Sequence, residues 1–280
     1  MSLSPIDELS ETENEDIIPF KKAVKPIFQI NTNNEKIISI LSYTLSYNCS
    51  YFVEKINKVI NLIKLYKPDI IALHLIEPET FNEINSKINS IYSNIQVFKN
   101  EKLQIGSALF LKRENITFEI KDGNPYYFDL ENSTSNKKII GVEVQLYNKK
   151  FHIITTHLEE KEENDTIRSE QFDILYNVIK NNNIKNCIIL GNFESYSINE
   201  DIENKLLLTE LKDAWINAGC PENVRNTYFD MRHERIYILK LNKLKLVSLG
   251  LFGNQNISKI IKQSPSDHFG LIAKYKLFCK

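Results

Sequence analysis

The chain lacks any run of apolar residues that approaches the roughly 20 a membrane-spanning helix needs. Its opening stretch, MSLSPIDELSETENED, has neither the basic segment nor the apolar segment of a signal peptide. These absences predict an intracellular protein with no membrane partner, without distinguishing nucleus from cytoplasm.

The sequence also lacks the cysteine patterns of metal-binding or disulfide-rich proteins. Cys49, Cys187, Cys220 and Cys279 form no CxxC pair and show no zinc-ligand spacing, so we expect reduced thiols. The formal net charge is only −1. A balance this close to zero argues against a protein that coats nucleic acid along its length, although it allows a local basic groove.

Composition divides the chain into a tail and one domain. Residues 1–34 are polar, with an acidic cluster at 7–16, and are predicted to be a disordered tail; a short docking patch at 17–20 is the alternative. Residues 35–280 contain no internal repeat and no linker, so we expect a single domain there.

Hydrophobic periodicity predicts a mixture of helices and strands. Helical spacing is present at 51–66, about 78–91, 168–179 and most of 206–219, while the Asn- and Ser-rich stretch 121–136 is predicted to be a loop. The runs typical of strands are IISILSY, IIALHLI, IQVF, SALFLKR, ITFEI, KIIGVEVQL, KFHIITTHL, NCIILGN, RIYILKL, KLVSLGL and LIAKYKLF. Because several strands follow one another without a helix between them, we expect an α/β (α+β) fold with two mixed sheets face to face and helices outside.

Polar side chains stand at the ends of these strands, as in IILGNFES, where a buried run stops at a glycine. They are Thr44, Glu77, His157, Glu159, Asn192, Glu194, Asp267 and His268, together with the stretch 232–235. Ligand sites of sheet proteins collect where strands end, so these groups predict one site.

Each candidate also has a purely structural interpretation. His157 follows two threonines and is compatible with a strand cap, and Asp267 with His268 is compatible with a surface turn. His74 lies within an apolar strand and is expected to be a hydrogen-bonded core histidine, and Glu234 is compatible with a simple ion pair.

Taken in order, the stretches resemble the endonuclease/exonuclease/phosphatase superfamily, and most closely its 5′-tyrosyl-DNA phosphodiesterase branch. The resemblance covers roughly residues 37–278 and depends most on the pair THLE and SPSDHFGL. The stretches that carry it are KPDIIALHLIEP, IGSALFLKR, TTHLEEKEENDTIRSEQFDIL, DAWINAGCPENVRNTY and SPSDHFGLIAKY. It implies the DNase I-like four-layered sandwich, with His157, Asp267 and His268 matching the family's site.

The same resemblance exposes departures at the catalytic positions. In the family, an Asn after the first strand and a Glu ending the second act on a catalytic Mg²⁺; here these positions are Thr44 and Leu75. The water-orienting Asp and the Asn of Gly-Asp-x-Asn become Asn192 and Glu194, and the His-orienting Asp becomes Glu234. The loop before that position, residues 229–233, is also much shorter than in relatives that use it to shape a substrate groove.

These departures favour a non-catalytic protein. Mg²⁺ prefers carboxylate and water oxygens, and Leu75 offers none. We therefore expect no metal cofactor and a degraded site, in a phosphodiesterase-like pseudoenzyme that binds a nucleic-acid end or a protein partner. His157, His268 and Arg168 are the expected phosphate-facing groups, and Tyr228 is a candidate for stacking.

Two alternatives remain open at this point. Glu77, Glu194 and Asp267 could rebuild a displaced Mg²⁺ or Mn²⁺ site in an active phosphodiesterase for 5′-phosphotyrosyl DNA or RNA ends. A structural or regulatory protein that acts through its acidic tail is the other alternative. Basic candidates for nucleic-acid contact, besides Arg168, are Lys112 and Arg113, and the sequence leaves the oligomeric state open.

Overall fold

The computed structural model describes residues 36–46, 50–98, 105–130, 133, 137–196, 210–239 and 244–278. The strands in this part of the chain are β1 (Lys36–Thr44), β2 (Ile70–Ile76), β3 (Tyr92–Phe98), β4 (Gly106–Lys112), β5 (Ile116–Thr117), β6 (Tyr126–Asp129), β7 (Lys138–Leu146), β8 (Lys149–His157), β9 (Cys187–Asn192), β10 (Leu211–Asp213), β11 (Glu234–Leu239), β12 (Leu244–Phe252) and β13 (Gly270–Leu277). The helices are α1 (Phe52–Tyr66), α2 (Pro78–Ile88), α3 (Asp165–Asn181) and α4 (Ala214–Asn217).

The strands form two mixed sheets, as expected. The first has the order β12-β13-β1-β2-β4-β3, and only β1 and β2 in it run parallel. The second has the order β10-β11-β9-β8-β7-β5, with β6 also paired to β7, and β8 and β9 run parallel.

Burial on both faces of the sheets explains the nearly continuous apolar strands. In β2, Ile70 and Ala72 belong to the core between the sheets, whereas Ile71 and Leu73 pack with α1 and α2 on the outer side. In the second sheet, Ile189 of β9 packs with α3 in the same way. Successive side chains of a strand point to opposite faces, so both faces are covered and the expected helix–sheet–sheet–helix sandwich is confirmed.

Two predicted elements differ from the structure. The predicted loop 121–136 contains strand β6, which pairs along β7 from Tyr126–Gly141 to Asp129–Lys138. The segment 206–219 was expected to be mostly helical, but in its described part Leu211–Asp213 is an edge strand and only Ala214–Asn217 is α-helix. The Asp213 carboxylate accepts hydrogen bonds from the backbone of Trp215 and Ile216, which fixes the helix start after this strand.

Other expectations concern features outside the sheets. The predicted tail, residues 1–34, and the docking patch within it lie outside the described residues, so the division into a tail and one domain at 35–280 stays a prediction. Among the described helices, none is both long and apolar enough to cross a membrane. Cys187 and Cys220 are free thiols.

Strand directions define where a site can form. The carboxyl ends of β1 and β2 in one sheet, and of β8 and β9 in the other, meet at the same end of the sandwich, where β11 and β13 begin. This is the end that carries the polar groups identified in the sequence.

Candidate functional site

A buried carboxyl group joins the two sheets at this end. Both oxygens of Glu234, the first residue of β11, accept hydrogen bonds from hydroxyls of β1: Oε1 from Thr44 and Oε2 from Ser42. Asn192 Nδ2 donates to Thr44 Oγ1 at 3.1 Å, and the Glu234 backbone N–H donates to Thr227 Oγ1 at 2.9 Å. Burial raises the pKa of Glu234 to about 7, although the two hydroxyl donors oppose the shift.

Glu234 therefore has a different set of partners from those expected. Its side chain accepts hydrogen bonds from the hydroxyls of β1. The resemblance predicts that the residue at this position orients His268, but His268 Nδ1 has no hydrogen-bond partner. Glu234 also forms no ion pair with a described residue, so the simple ion-pair interpretation was wrong.

Glu194 is the second buried carboxylate of the site. The residue has a φ of +47°, and its backbone N–H donates to Asn192 Oδ1 at 2.9 Å, which turns the chain sharply after β9. Its Oε1 lies 3.1 Å from His157 Nε2, which donates because a carboxylate can only accept. Its Oε2 accepts from the Tyr196 hydroxyl at 3.0 Å and lies 3.4 Å from His233 Nδ1.

Four of the five histidines lie near one another at this end. His233 and His268 both stack on the half-buried ring of Tyr228, with centroid distances of 4.8 and 4.3 Å, and the His74 and His157 rings are 5.8 Å apart. His74 is the hydrogen-bonded core histidine that was expected, with Ser107 and Thr155 hydroxyls at its two nitrogens.

Burial makes these imidazoles hard to protonate. It lowers the pKa of His233 to about 4 and also lowers the pKa values of His157 and His268, because a charged ring loses its hydration inside the protein. His233 lies in the stretch 232–235, for which the sequence indicates a place near the site but no role for this histidine. Its position one residue before a strand was the available signal, and only the fold shows that it faces Glu194.

The position assigned to the metal-binding glutamate has no polar side chain. Leu75 has a φ of +52° and sits in a bulge of β2 between His74 and Ile76. Glu77 lies just beyond the strand and is the N-cap residue of α2, which begins at Pro78.

Only one group of three candidate metal ligands was found in the described residues: Glu194, His233 and His268, each buried, with donor atoms within 4.8 Å of one another. Glu77 and Asp267 are not part of that group. The Asp267 carboxylate instead accepts a hydrogen bond of 2.5 Å from Ser46 Oγ.

The residues present do not fit the Mg²⁺ site that the family implies. Leu75 supplies no oxygen, and the Thr44 hydroxyl is held between Asn192 and Glu234. Mg²⁺ requires near-octahedral oxygen coordination, so we assign no reaction step to it.

The proposed basic contacts lie elsewhere. Arg168 is fully buried, and its guanidinium donates to the backbone carbonyls of residues 159, 161 and 162 and lies over the ring of Tyr196. Lys112 ends β4 and Arg113 follows it, at the opposite end of the first sheet, where Lys112 lies 3.8 Å from Asp69. In this conformation none of the three lines the site.

The comparisons with known proteins agree with this fold. No protein-family model matches the chain. Tyrosyl-DNA phosphodiesterase 2 from Rattus norvegicus is 22% identical over an aligned length of 233 residues, and the match covers 78% of this chain. The match spans 61% of that protein's length, so its activity as a whole does not transfer by similarity alone.

Solved structures give a closer match in shape than in sequence. A humanized D. rerio TDP2 with 14 mutations superposes with a TM-score of 0.76 at 17% identity, covering 85% of this chain and 98% of that one. TDP2 from C. elegans gives 0.71 at 22% identity, covering 85% and 75%, and the human Nocturnin catalytic domain gives 0.69 at 18% identity, covering 87% and 98%. The chain thus has the endonuclease/exonuclease/phosphatase fold that the sequence motifs indicated.

Proposed function

We propose that this protein is a TDP2-like phosphodiesterase-fold protein that binds a single-stranded nucleic-acid end and has lost Mg²⁺-dependent cleavage. The observation that carries the proposal is the closed hydrogen-bond group of Thr44, Asn192 and Glu234. Thr44 and Asn192 stand where the family's metal-associated Asn and water-orienting Asp are expected, and Glu234 stands where its His-orienting Asp is expected.

The metal-binding carboxylate and the base serve the same cleavage reaction, so losing both affects one rate. Removing one well-placed catalytic group costs about 10²–10⁴-fold in rate, and groups that act as a unit do not add simply. Leu75 cannot bind a cation through oxygen, and the neutral amide of Asn192 cannot take a proton from water. Binding, in contrast, needs neither of these groups.

The rim of the site supports a stacking mode of binding. A tight turn, in which Tyr228 and Met231 exchange backbone hydrogen bonds, replaces a longer loop and presents Phe229 with 76% of its surface exposed, next to Tyr228. Aromatic side chains bind bases of single strands through stacking with little sequence preference. The D. rerio TDP2 structure with a single-strand DNA product gives a TM-score of 0.74 at 15% identity, covering 86% of this chain and 99% of that one.

A cleavage assay tests the loss of chemistry. We expect the wild-type protein to release no tyrosine from a 5′-phosphotyrosyl oligonucleotide in Mg²⁺ or Mn²⁺ above a protein-free blank. Turnover that EDTA and His268→Ala both abolish would contradict the proposal and would support an active enzyme with a shifted metal site.

A binding assay tests the retained function. We expect a fluorescent single-stranded oligonucleotide to bind, with Phe229→Ala weakening the interaction by roughly 1–3 kcal/mol. Phe278→Ala is the matched control, since Phe278 is an exposed aromatic residue that follows β13 at the opposite end of the sheet. Absence of binding, or equal losses in both variants, would remove the support for stacking at this site.

A further inference from the structure

Two buried histidines of the site have ring nitrogens without partners. Both nitrogens of His233 and Nδ1 of His268 make no hydrogen bond, and the two side chains are only 1% and 6% exposed. Buried polar groups are normally hydrogen-bonded, and leaving one unsatisfied is destabilising. His233 Nδ1 lies 3.4 Å from the Glu194 carboxylate. An ion that accepts one electron pair from each residue would give a partner to one nitrogen of each ring.

We infer that Glu194, His233 and His268 form a binding site for a divalent transition-metal ion of the Zn²⁺ type. The inference does not rest on the proposed function, because it concerns metal binding and no reaction. Imidazole nitrogen and carboxylate oxygen together suit Zn²⁺ and Co²⁺, whereas Mg²⁺ takes oxygen ligands almost alone.

The distances fit such an ion with small adjustments. Ligand atoms at about 2.0–2.1 Å in tetrahedral positions lie roughly 3.3 Å from one another. Glu194 Oε2 and His233 Nδ1 are 3.4 Å apart, which already matches that separation. The donor atoms of the whole group lie within 4.8 Å of one another, so the remaining separations would have to shorten by at most about 1.5 Å to reach the tetrahedral value.

The surroundings hold the three ligands in place. His157 Nε2 and the Tyr196 hydroxyl both donate to the Glu194 carboxylate, at 3.1 and 3.0 Å, as the outer hydrogen bonds of metal ligands do. Tyr228 stacks on both imidazoles, with interplanar angles of 22° and 23°. Three protein ligands leave a fourth tetrahedral position for water or a ligand oxygen.

Cobalt titration of the metal-depleted protein tests the inference. We expect one Co²⁺ per chain, with the visible absorption of tetrahedral cobalt, and stoichiometric displacement by Zn²⁺ but not by millimolar Mg²⁺. Calorimetry with Zn²⁺ provides the affinity. Wild-type protein that binds no ion, or binds Mg²⁺ in preference, would overturn the inference without the need for any variant.

Variants locate the ion. His233→Ala and Glu194→Gln should each weaken Zn²⁺ binding by more than about 100-fold, whereas His157→Gln should weaken it by roughly 10–100-fold, as expected for an outer partner. Glu194→Gln keeps the side-chain shape, so it remains informative if His233→Ala fails to fold. The control is His152→Ala, because His152 lies away from the site. Its Nδ1 is 3.2 Å from the hydroxyl of Tyr126. Equal affinity in wild type, His233→Ala and Glu194→Gln would place the ion elsewhere and refute the site.

Discussion

Glu234 shows how one added methylene changes the partners of a side chain. The carboxyl group reaches across to the other sheet and binds Ser42 and Thr44 of β1, while His268 Nδ1 is left without a hydrogen bond. A shorter Asp at the same position would fall short of both hydroxyls. The sequence identified the substitution, but only the relative placement of the two sheets could show where the longer side chain would go.

The raised pKa of Glu234 makes stability depend on pH. Its pKa is about 7 in the fold and near 4.5 when exposed, so the protonated form is favoured by folding. This contribution is fully present below pH 4.5 and is lost as pH rises through 7. At about 1.4 kcal/mol per pKa unit, wild type should lose roughly 3 kcal/mol over this range relative to Glu234→Gln.

Urea unfolding of both proteins in EDTA, at several pH values, provides this comparison. Other titrating groups affect both proteins alike and cancel in the difference. A difference that stays constant between pH 4.5 and 8 would show that Glu234 is ionised throughout and held by its hydroxyl partners.

Introducing the residues that the resemblance assigns to the Mg²⁺ site should create such a site if the backbone is arranged as the resemblance implies. The combination Thr44→Asn, Leu75→Glu and Asn192→Asp supplies the missing oxygens and removes the hydroxyl that Glu234 Oε1 binds. We expect calorimetry to detect Mg²⁺ binding in this triple variant before any cleavage appears. Adding Glu234→Asp should then raise activity, since misplacement by about 1 Å can cost on the order of 10²-fold.

The matched control keeps Leu75 and carries only the other two changes. It should bind no Mg²⁺, because the carboxylate at position 75 is the metal ligand. A folded triple variant that is equally unable to bind Mg²⁺ would mean that the backbone around the site differs from that of the active relatives.

At the scale of elements, the sequence predicted the strands with strong apolar runs and missed the weak ones. The edge strands β6 and β10 are short, and each depends on hydrogen bonds from a single neighbouring strand, β7 or β11. Helical spacing of Leu residues near position 211 was therefore outweighed by pairing with β11. The strand ends were likewise predictable as a site, but the turn at Glu194 that brings its carboxylate to His233 was not, because it depends on a positive φ.

Gly191 in β9 is needed for a close approach of two strands. A Cβ at this position would lie 2.1 Å from the backbone carbonyl oxygen of Thr156 in β8, which cannot move without breaking the parallel pairing. We expect Gly191→Ala to lower the free energy of unfolding by about 3 kcal/mol or more, as severe overpacking does. Denaturant unfolding measures the loss.

Gly219→Ala is the control for this substitution. Gly219 has a φ of +84° and nothing within 4 Å of a Cβ, so the only cost is the left-handed conformation, about 1–2 kcal/mol. Equal losses in the two variants would contradict the role assigned to strand contact at Gly191.

At the scale of the whole molecule, Lys112 and Arg113, which the sequence predicted as nucleic-acid contacts, lie far from the site. Lys112 and Arg113 adjoin the start of β2, whereas Thr44 and Leu75 lie at the ends of β1 and β2. Because β4 runs antiparallel to β2, the end of β4 that carries Lys112 and Arg113 lies beside the start of β2. The pairing partner, and hence the end of the sheet, was not readable from the local sequence.

Lys112→Ala combined with Arg113→Ala should accordingly leave oligonucleotide affinity within about twofold of wild type. The dependence of binding on salt should also stay the same, because each lost phosphate contact would lower the slope by about 0.7 for a single strand. Fluorescence titrations at several salt concentrations measure both quantities. A clear reduction of the slope in the double variant would show that the nucleic acid reaches the far end of the sandwich.

The order of strands in the first sheet has a consequence for synthesis on the ribosome. β1 lies between β2 and β13, and seven residue pairs join it to β13, which is the last described strand to be made. One edge of β1 therefore stays unpaired during most of translation, and an exposed strand edge is a site of misassembly. A ribosome that stalled before residue 270 would hold a chain whose first sheet is incomplete. In that chain His268 would lack β13, the strand that begins two residues later and fixes its position beside β1.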